Sequence, residues 1–244
     1  KAESEGIDVG INYNKGFMNG MWAQLRGNFT YARNKATVYD EPVYAANEWY
    51  RSRVGYPVTQ QWGYIAERLF VDDDEVANSP TQFFGSGREA AYGAGDIKYR
   101  DVNADGVINE ADMVPIGLPT SPEVIYGLGG SFGYKGFDVS AFFQGSAQSS
   151  FFIEPSAISP FVNDGGQQNG LLRVIADDHW SEDNRNLYAF WPRLSTIQNN
   201  SNNQRSTWWL RDGAFLRLKN VELGYTLTDK ILNRLKLSNC RIYV

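Results

Sequence analysis

The chain carries a single cysteine, Cys240, which excludes an internal disulfide framework and any cysteine-rich zinc site. It carries a single histidine, His179, so no cluster of imidazoles is available for a metal or for repeated acid–base work. It has no run of 18 apolar residues and therefore no transmembrane helix. That absence does not bear on a membrane barrel, whose strands need only about 9–11 alternating residues. An excess of positive charge is also missing. The net charge is −5 with acids and bases mixed along the chain, which argues against a nucleic-acid partner. No nucleophile elbow, phosphate-cradling glycine loop or zinc signature occurs, and the paired acids that abound fall in loops with no evident catalytic geometry. No enzyme is expected. The first five residues are polar and lack a hydrophobic signal core, and the last residues run into an apparent strand. Both ends read as cuts, so a fragment of a longer chain is expected.

Aromatic residues and glycine are what the chain has instead: 14 Tyr, 14 Phe, 7 Trp and 24 Gly. That mixture points to strands and turns and so to an all-β fold. Residues 6–14 put Ile7, Val9, Ile11 and Tyr13 on one face and Asp8, Gly10, Asn12 and Asn14 on the other. Asn19-Gly20 then supplies a tight hairpin turn, and Met21, Ala23, Leu25, Gly27, Phe29 and Tyr31 line one face of the return strand. The spacing predicts a hairpin over 6–36. A second is predicted over 123–146, with Val124, Tyr126, Leu128, Phe132 and Tyr134 on one side, a turn at Lys135-Gly136, then Phe137, Val139, Ala141 and Phe143. Further strands are expected over 207–244, one from 207 to 227 and a last one from 239. A phase shift between Leu218 and Val221 predicts a bulge near Lys219-Asn220. Helical turns are expected at 73–76, 110–113 and 229–238.

Between these strands, residues 37–122 and 147–206 lose the alternation and are too long for ordinary connections. Short and long connections strictly alternate. That is the asymmetry of an outer-membrane barrel, with short turns on one rim and large extracellular loops on the other. A secreted, calcium-stabilised β-sandwich that binds glycans is the alternative, because periodicity does not tell an inward face from an outward one.

One stretch of the first long segment has a metal-loop spacing. In DVNADGVINEAD, Asp101, Asn103, Asp105, Val107, Asn109 and Asp112 stand at positions 1, 3, 5, 7, 9 and 12, and Gly106 at the turn position 6. Oxygens at alternate positions can converge on one cation, Val107 through its backbone carbonyl and Asn109 directly or through water. The set is all oxygen and favours structural Ca²⁺ over Mg²⁺, although Asp112 is shorter than the usual Glu. The other reading is an Asp/Asn-Gly turn without metal. The acidic run Asp72, Asp73, Asp74 and Glu75 reads as a charged turn, and His179 as a solvated loop residue. The loop tryptophans Trp49, Trp62, Trp180 and Trp191 can stack on sugar rings or touch a lid protein, or else pack the long loops against each other. Trp208-Trp209 and Tyr225 read as residues of an interfacial aromatic girdle.

Three segments, GDIKYRDVNADGVINEADMVPIG, YGLGGSFGYKGFDVSAFFQG and DGAFLRLKNVELGYTL, together with RVGYPVTQQWGYIAERLF, resemble the C-terminal region of SusC-like TonB-dependent transporters of Bacteroidota outer membranes. They occur in the same order and cover roughly residues 6–244. The resemblance implies an antiparallel transmembrane β-barrel of about 22 strands, of which about six lie here. It implies nutrient uptake energised by TonB, through a segment absent from this chain, and a SusD-like surface lipoprotein closing the mouth. An oligosaccharide or oligopeptide substrate and an outer-membrane lipid environment are implied with it.

Overall fold

The computed structural model describes residues 1–84, 92–161, 163–164, 167–197 and 199–244. Six strands form one continuous antiparallel sheet in sequence order: β1 (Ala2–Gly16), β2 (Met21–Ala36), β3 (Val124–Tyr134), β4 (Phe137–Ala147), β5 (Phe215–Thr226) and β6 (Arg241–Tyr243). Two-residue turn chemistry sets the β3–β4 register. Lys135 and Gly136 both have positive φ, 49° and 87°, as a type I′ hairpin turn requires. Phe137 therefore faces Tyr134, and every pair to Ala147↔Val124 follows in step.

The register lays out two unlike faces. Across β2–β5 the rows on one face read Ala23–Phe132–Val139–Leu223, Leu25–Gly130–Ala141–Val221 and Gly27–Leu128–Phe143–Leu218. Their large members are exposed in this chain. The opposite face reads Gln24–Ser131–Ser140–Glu222 and Asn28–Gly127–Gln144–Arg217. Arg26 lies over the Phe142 ring there, 5.0 Å from its centroid. Arg241 of β6 reaches across β5 to Asp138 of β4 and also binds Glu222. A sheet with one apolar and one polar face, both uncovered by a second sheet of this size among the described residues, is not a sandwich. The sandwich alternative is set aside on that ground.

The expected bulge is present: Phe142 pairs Asn220 and Phe143 pairs Leu218, so Lys219 is the extra residue. The expected strand over 207–227 is corrected. Leu210–Asp212 pairs instead with Ser150–Phe152 in a separate ribbon, and the sheet strand starts at Phe215. Gly213 marks the break, where a side chain would collide with Ser149 Oγ. The last strand is also shorter than expected, and the helix Asp229–Leu235 precedes it.

A second compact unit comprises Lys1 and residues 36–120 and 150–212. The two long segments thus fold together. The elements are brief: Ala66–Leu69 pairs antiparallel with Ile97–Tyr99, Trp62–Gly63 with Val114–Pro115, and Thr81–Gln82 runs parallel to Val107–Ile108. A core of buried side chains holds them. The first segment gives it Tyr64, Leu69, Ile97, Tyr99 and Ile108; the second gives it Ile175, Trp180, Ala189, Trp191 and Trp209. Tyr64 packs against Tyr99 and Phe84, and Trp191 against Trp209 at 5.1 Å between centroids. Burial pushes the Tyr64 hydroxyl up to about 12 and raises that of Tyr99 further.

Candidate functional site

The metal-loop spacing folds into a tight, self-closed turn. Asp101 accepts from Ala104 N–H (2.7 Å) and Gly106 N–H (2.8 Å), and Asp105 accepts from Val107 N–H (2.8 Å). Asn103 Oδ1 accepts from Asp105 N–H at 3.1 Å. Gly106 has φ +85°, so the turn position needs a residue without Cβ. Asp112 is 0% exposed. One of its oxygens accepts from Val102 N–H at 2.7 Å and Asn103 N–H at 3.4 Å, the other from Asn109 N–H at 2.9 Å. Asn109 completes a capping box on the 3₁₀ turn Glu110–Asp112, where a helical turn was expected. Tyr50 O–H donates to Ala111 C=O, tying the residue 46–51 turn to this loop.

The donor set suits a hard cation: three carboxylates, two amide oxygens and the Val107 carbonyl. The arrangement is less suited. Asp112 commits both oxygens to backbone amides, and among the described residues no three acidic, histidine or cysteine side chains converge as a metal site. The loop holds its shape by its own hydrogen bonds.

The four tryptophans divide. Trp49 is 66% exposed, edge-on to Tyr50 at 6.3 Å. Trp62 is half-buried, edge-on to Tyr56 at 5.4 Å, with the Arg53 guanidinium 5.7 Å from its ring. Trp180 and Trp191 are each 6% exposed and belong to the core. As surfaces for a sugar or a lid protein those two are corrected. They fill the volume between the long segments, an apolar use that releases more water-exposed area than stacking at a rim. Trp209 is likewise buried in that core and is no girdle residue, whereas Tyr225 packs against Phe137 on the apolar face of the sheet at 4.4 Å. His179 Nδ1 sits 3.0 Å from Ile175 C=O and 3.1 Å from Ala176 C=O, at the end of the helix Arg173–Asp177.

The acidic run is a helix start. Asp72 caps Asp73–Ala77 by accepting from Glu75 N–H. Glu75 accepts from both terminal nitrogens of Arg68 (2.9 and 2.6 Å), from Lys98 Nζ (2.8 Å) and from Val71 N–H (2.9 Å). The Arg68 bonds, with those of Lys98 and Val71, bring its carboxyl down to about 2 against burial.

Sequence reasoning missed the strongest polar contact between the two long segments. Asp96 is 0% exposed. It accepts from Arg193 Nε (2.9 Å) and Nη2 (2.9 Å), from Asn202 Nδ2 (2.8 Å) and from Gly93 N–H (2.8 Å). Gln82 Nε2 beside it donates to Ser201 Oγ at 2.7 Å, and Tyr99 O–H to Ser201 C=O at 2.6 Å. A buried carboxylate with a forked guanidinium partner is costly to leave unpaired, and partners so far apart in sequence leave no local signal.

The chain resembles curated and solved proteins of one kind. It is 29% identical over 146 residues to TonB-dependent receptor P3 of Formosa agariphila and 27% identical over 166 residues to TonB-dependent receptor P26 of the same organism. These matches cover 60% and 68% of this chain. No family model matches it. Structures of the RagAB peptide importer in the open-open state and of the RagAB peptide transporter superpose over 99% of this chain, with TM-scores of 0.63 and 0.66 and 16% and 17% identity. The resemblance to SusC-type TonB-dependent transporters holds. The six-stranded sheet has the fold of a segment of such a barrel, unclosed in this chain. The chain spans 13% and 16% of the length of the two curated relatives and about a quarter of the solved transporter chains. The relatives so named are receptors and importers, not enzymes.

Proposed function

We propose that this chain is part of an outer-membrane β-barrel that imports a nutrient, crossing the membrane repeatedly with β1–β5. The observation that carries the reading is the sheet itself. Rows such as Ala23–Phe132–Val139–Leu223 face outward without cover, while amides, hydroxyls and charges occupy the other face. In water an apolar surface of that extent would associate; against lipid it is satisfied, and the polar face lines a wet lumen. The connections support the same reading. Short turns join β1 to β2 and β3 to β4, and the long segments join β2 to β3 and β4 to β5.

In this reading the long segments 37–122 and 147–206 are extracellular. A SusD-like lipoprotein closes the mouth, and TonB supplies energy through a part of the protein outside this chain. The substrate is an oligosaccharide or an oligopeptide. The description of the structural neighbours as peptide importers supports the second. Of the four loop tryptophans, Trp49 and Trp62 keep exposed surface and so remain able to meet a lid or substrate. Ca²⁺ in the 101–112 loop is part of the proposal as a structural ion, supported by the all-oxygen donor set and the Gly106 turn. Two oxygens of Asp112 must then exchange backbone amides for the ion. Val102 and Asn109 amides that exchange at the same rate in Ca²⁺ and in chelator would remove it.

Sidedness tests the main reading in whole cells. In a Cys240→Ser background, a cysteine replacing Trp49 is expected to react with a membrane-impermeant maleimide on intact cells. One replacing Lys135 is expected to react only after the outer membrane is opened. Equal labelling of both on intact cells overturns the proposed topology. Loss of labelled-peptide uptake on deletion of the protein, with glycan uptake unchanged, would select the peptide.

A further inference from the structure

We infer that the two insertions, residues 36–120 and 150–212, are one conformational device: they order, open and close together, and neither acts as an independent gate. The core supplies the first reason. It draws five residues from each insertion, interleaved so that Trp191 and Trp209 meet each other while Tyr64 and Tyr99 pack among them. Neither half encloses a core without the other.

The main chain supplies the second. Leu69 N–H donates to Leu187 C=O, Arg193 N–H to Gly95 C=O, Tyr64 N–H to Arg205 C=O and Thr207 N–H to Tyr64 C=O. Each bond crosses between the insertions. Ala66 N–H adds a bond to Thr207 Oγ1 at 2.9 Å. The Asp96–Arg193 clasp supplies the third. It buries a charge contributed by one insertion against a charge contributed by the other, so partial separation strands a desolvated carboxylate.

The fit is also too close to slide. A Cβ on Gly95 would lie 2.3 Å from the Trp180 ring, and one on Gly63 would lie 2.4 Å from Arg205 C=O. Packed contacts of this kind part together or not at all. A ligand or partner that touches only one insertion therefore acts on both.

Hydrogen exchange on the intact protein in detergent or lipid tests this directly, and it reads the opening whatever the protein transports. Ile175 is fully buried in the second insertion. Ile175→Ala leaves a cavity there. The informative amides are those bonded within a single insertion: Phe70, Phe83 and Arg100 in the first, Ile153 and Trp180 in the second. The expected result is acceleration of about tenfold or more by one common factor at all five, because a buried Ile→Ala change weakens the shared opening. Ile108→Ala, in the first insertion, is expected to accelerate the same five amides, again by one common factor. Acceleration confined to the insertion that carries the substitution would overturn the inference. Should either alanine variant fail to fold, the milder Ile→Val changes carry the same comparison.

Discussion

The Asp112 carboxylate offers the sharpest test of how the 101–112 loop is held. Asp112→Asn keeps the side-chain volume and replaces one oxygen by an NH₂ group. The remaining oxygen can still accept from Val102 N–H, now as a neutral acceptor. The other position sets a donor against Asn109 N–H, which has no alternative partner in the closed loop. Weakening one charge-assisted bond and leaving one buried amide unsatisfied costs about 2–4 kcal/mol in total. At about 1.4 kcal/mol per decade that is an increase of roughly 30- to 1,000-fold in exchange of the Val102 and Asn109 amides. The assay is hydrogen exchange in chelator, so that only the bonds of the polypeptide are read. Asp101→Asn is the comparison. Its amide partners, Ala104 and Gly106, lie in an exposed part of the loop where water replaces a lost acceptor, so the change there is expected to stay below about tenfold. Equal effects of the two substitutions, or an Asp112→Asn effect below about threefold, would refute the claim that the buried carboxylate organises this loop. Repeating the measurement in Ca²⁺ then isolates the ion: protection of the Val102 and Asn109 amides that falls with Ca²⁺ in the native loop and does not change in Asp112→Asn is the signature of Asp112 turning to the ion.

Other perturbations follow from the same geometry. Glu75 has a folded pKa of about 2, below its ordinary value of 4.5, so its contribution is complete above about pH 4.5 and is lost as pH falls towards 2. That loss is about 2 kcal/mol after solvent screening, read as acid-induced exchange of the Val71 amide, and Glu75→Gln is expected to abolish the pH dependence. Gly95→Ala places a methyl group into the Trp180 ring at φ +79° and is expected to destabilise the insertions by about 2–4 kcal/mol, measured as proteolytic susceptibility of the 92–100 segment. Trp209→Ala is expected to cost about 3–5 kcal/mol by the same measure, whereas Trp49→Ala stays within about 0.5 kcal/mol; equal effects would contradict the division of the tryptophans into core and surface.

The sheet was legible because its signals are local. Alternation placed Val139 and Phe132 on one face and Ser140 and Ser131 on the other. A single phase shift placed the bulge within a residue of Lys219. The helix starts at Asp73 and Glu110 were legible for the same reason, since a capping residue and its partner lie three positions apart. Trp208 and Trp209 misled because their hydrophobicity continues the strand pattern, whereas Trp209 N–H and Leu210 N–H both turn back to Ser206 C=O. The insertions were illegible for a different reason. Their paired segments are two to four residues long, too short for any periodicity to register, and Asp96 finds Arg193 from the other insertion. The metal-loop spacing was visible, but spacing alone does not report which way a carboxylate turns.

The aromatic richness of the chain therefore serves two separate ends. On the sheet, period two alone is enough to put Phe132, Tyr134, Phe137 and Phe143 on one apolar face, and a hairpin turn with two positive φ angles fixes their register. In the insertions there is no long element to impose a register, and a core of large rings can pack in several nearly equivalent ways. Directional bonds remove that freedom. Asp96 accepts only where Arg193 Nε and Nη2, Asn202 Nδ2 and Gly93 N–H converge, and Gln82 spans Ile97 C=O, Tyr99 N–H and Ser201 Oγ at once. Such a network adds little net stability against an apolar core of the same volume, but it penalises every arrangement that leaves one of its members unpaired. A large irregular insertion is held to one structure in this way: the rings supply the burial, and the buried polar groups choose among the packings.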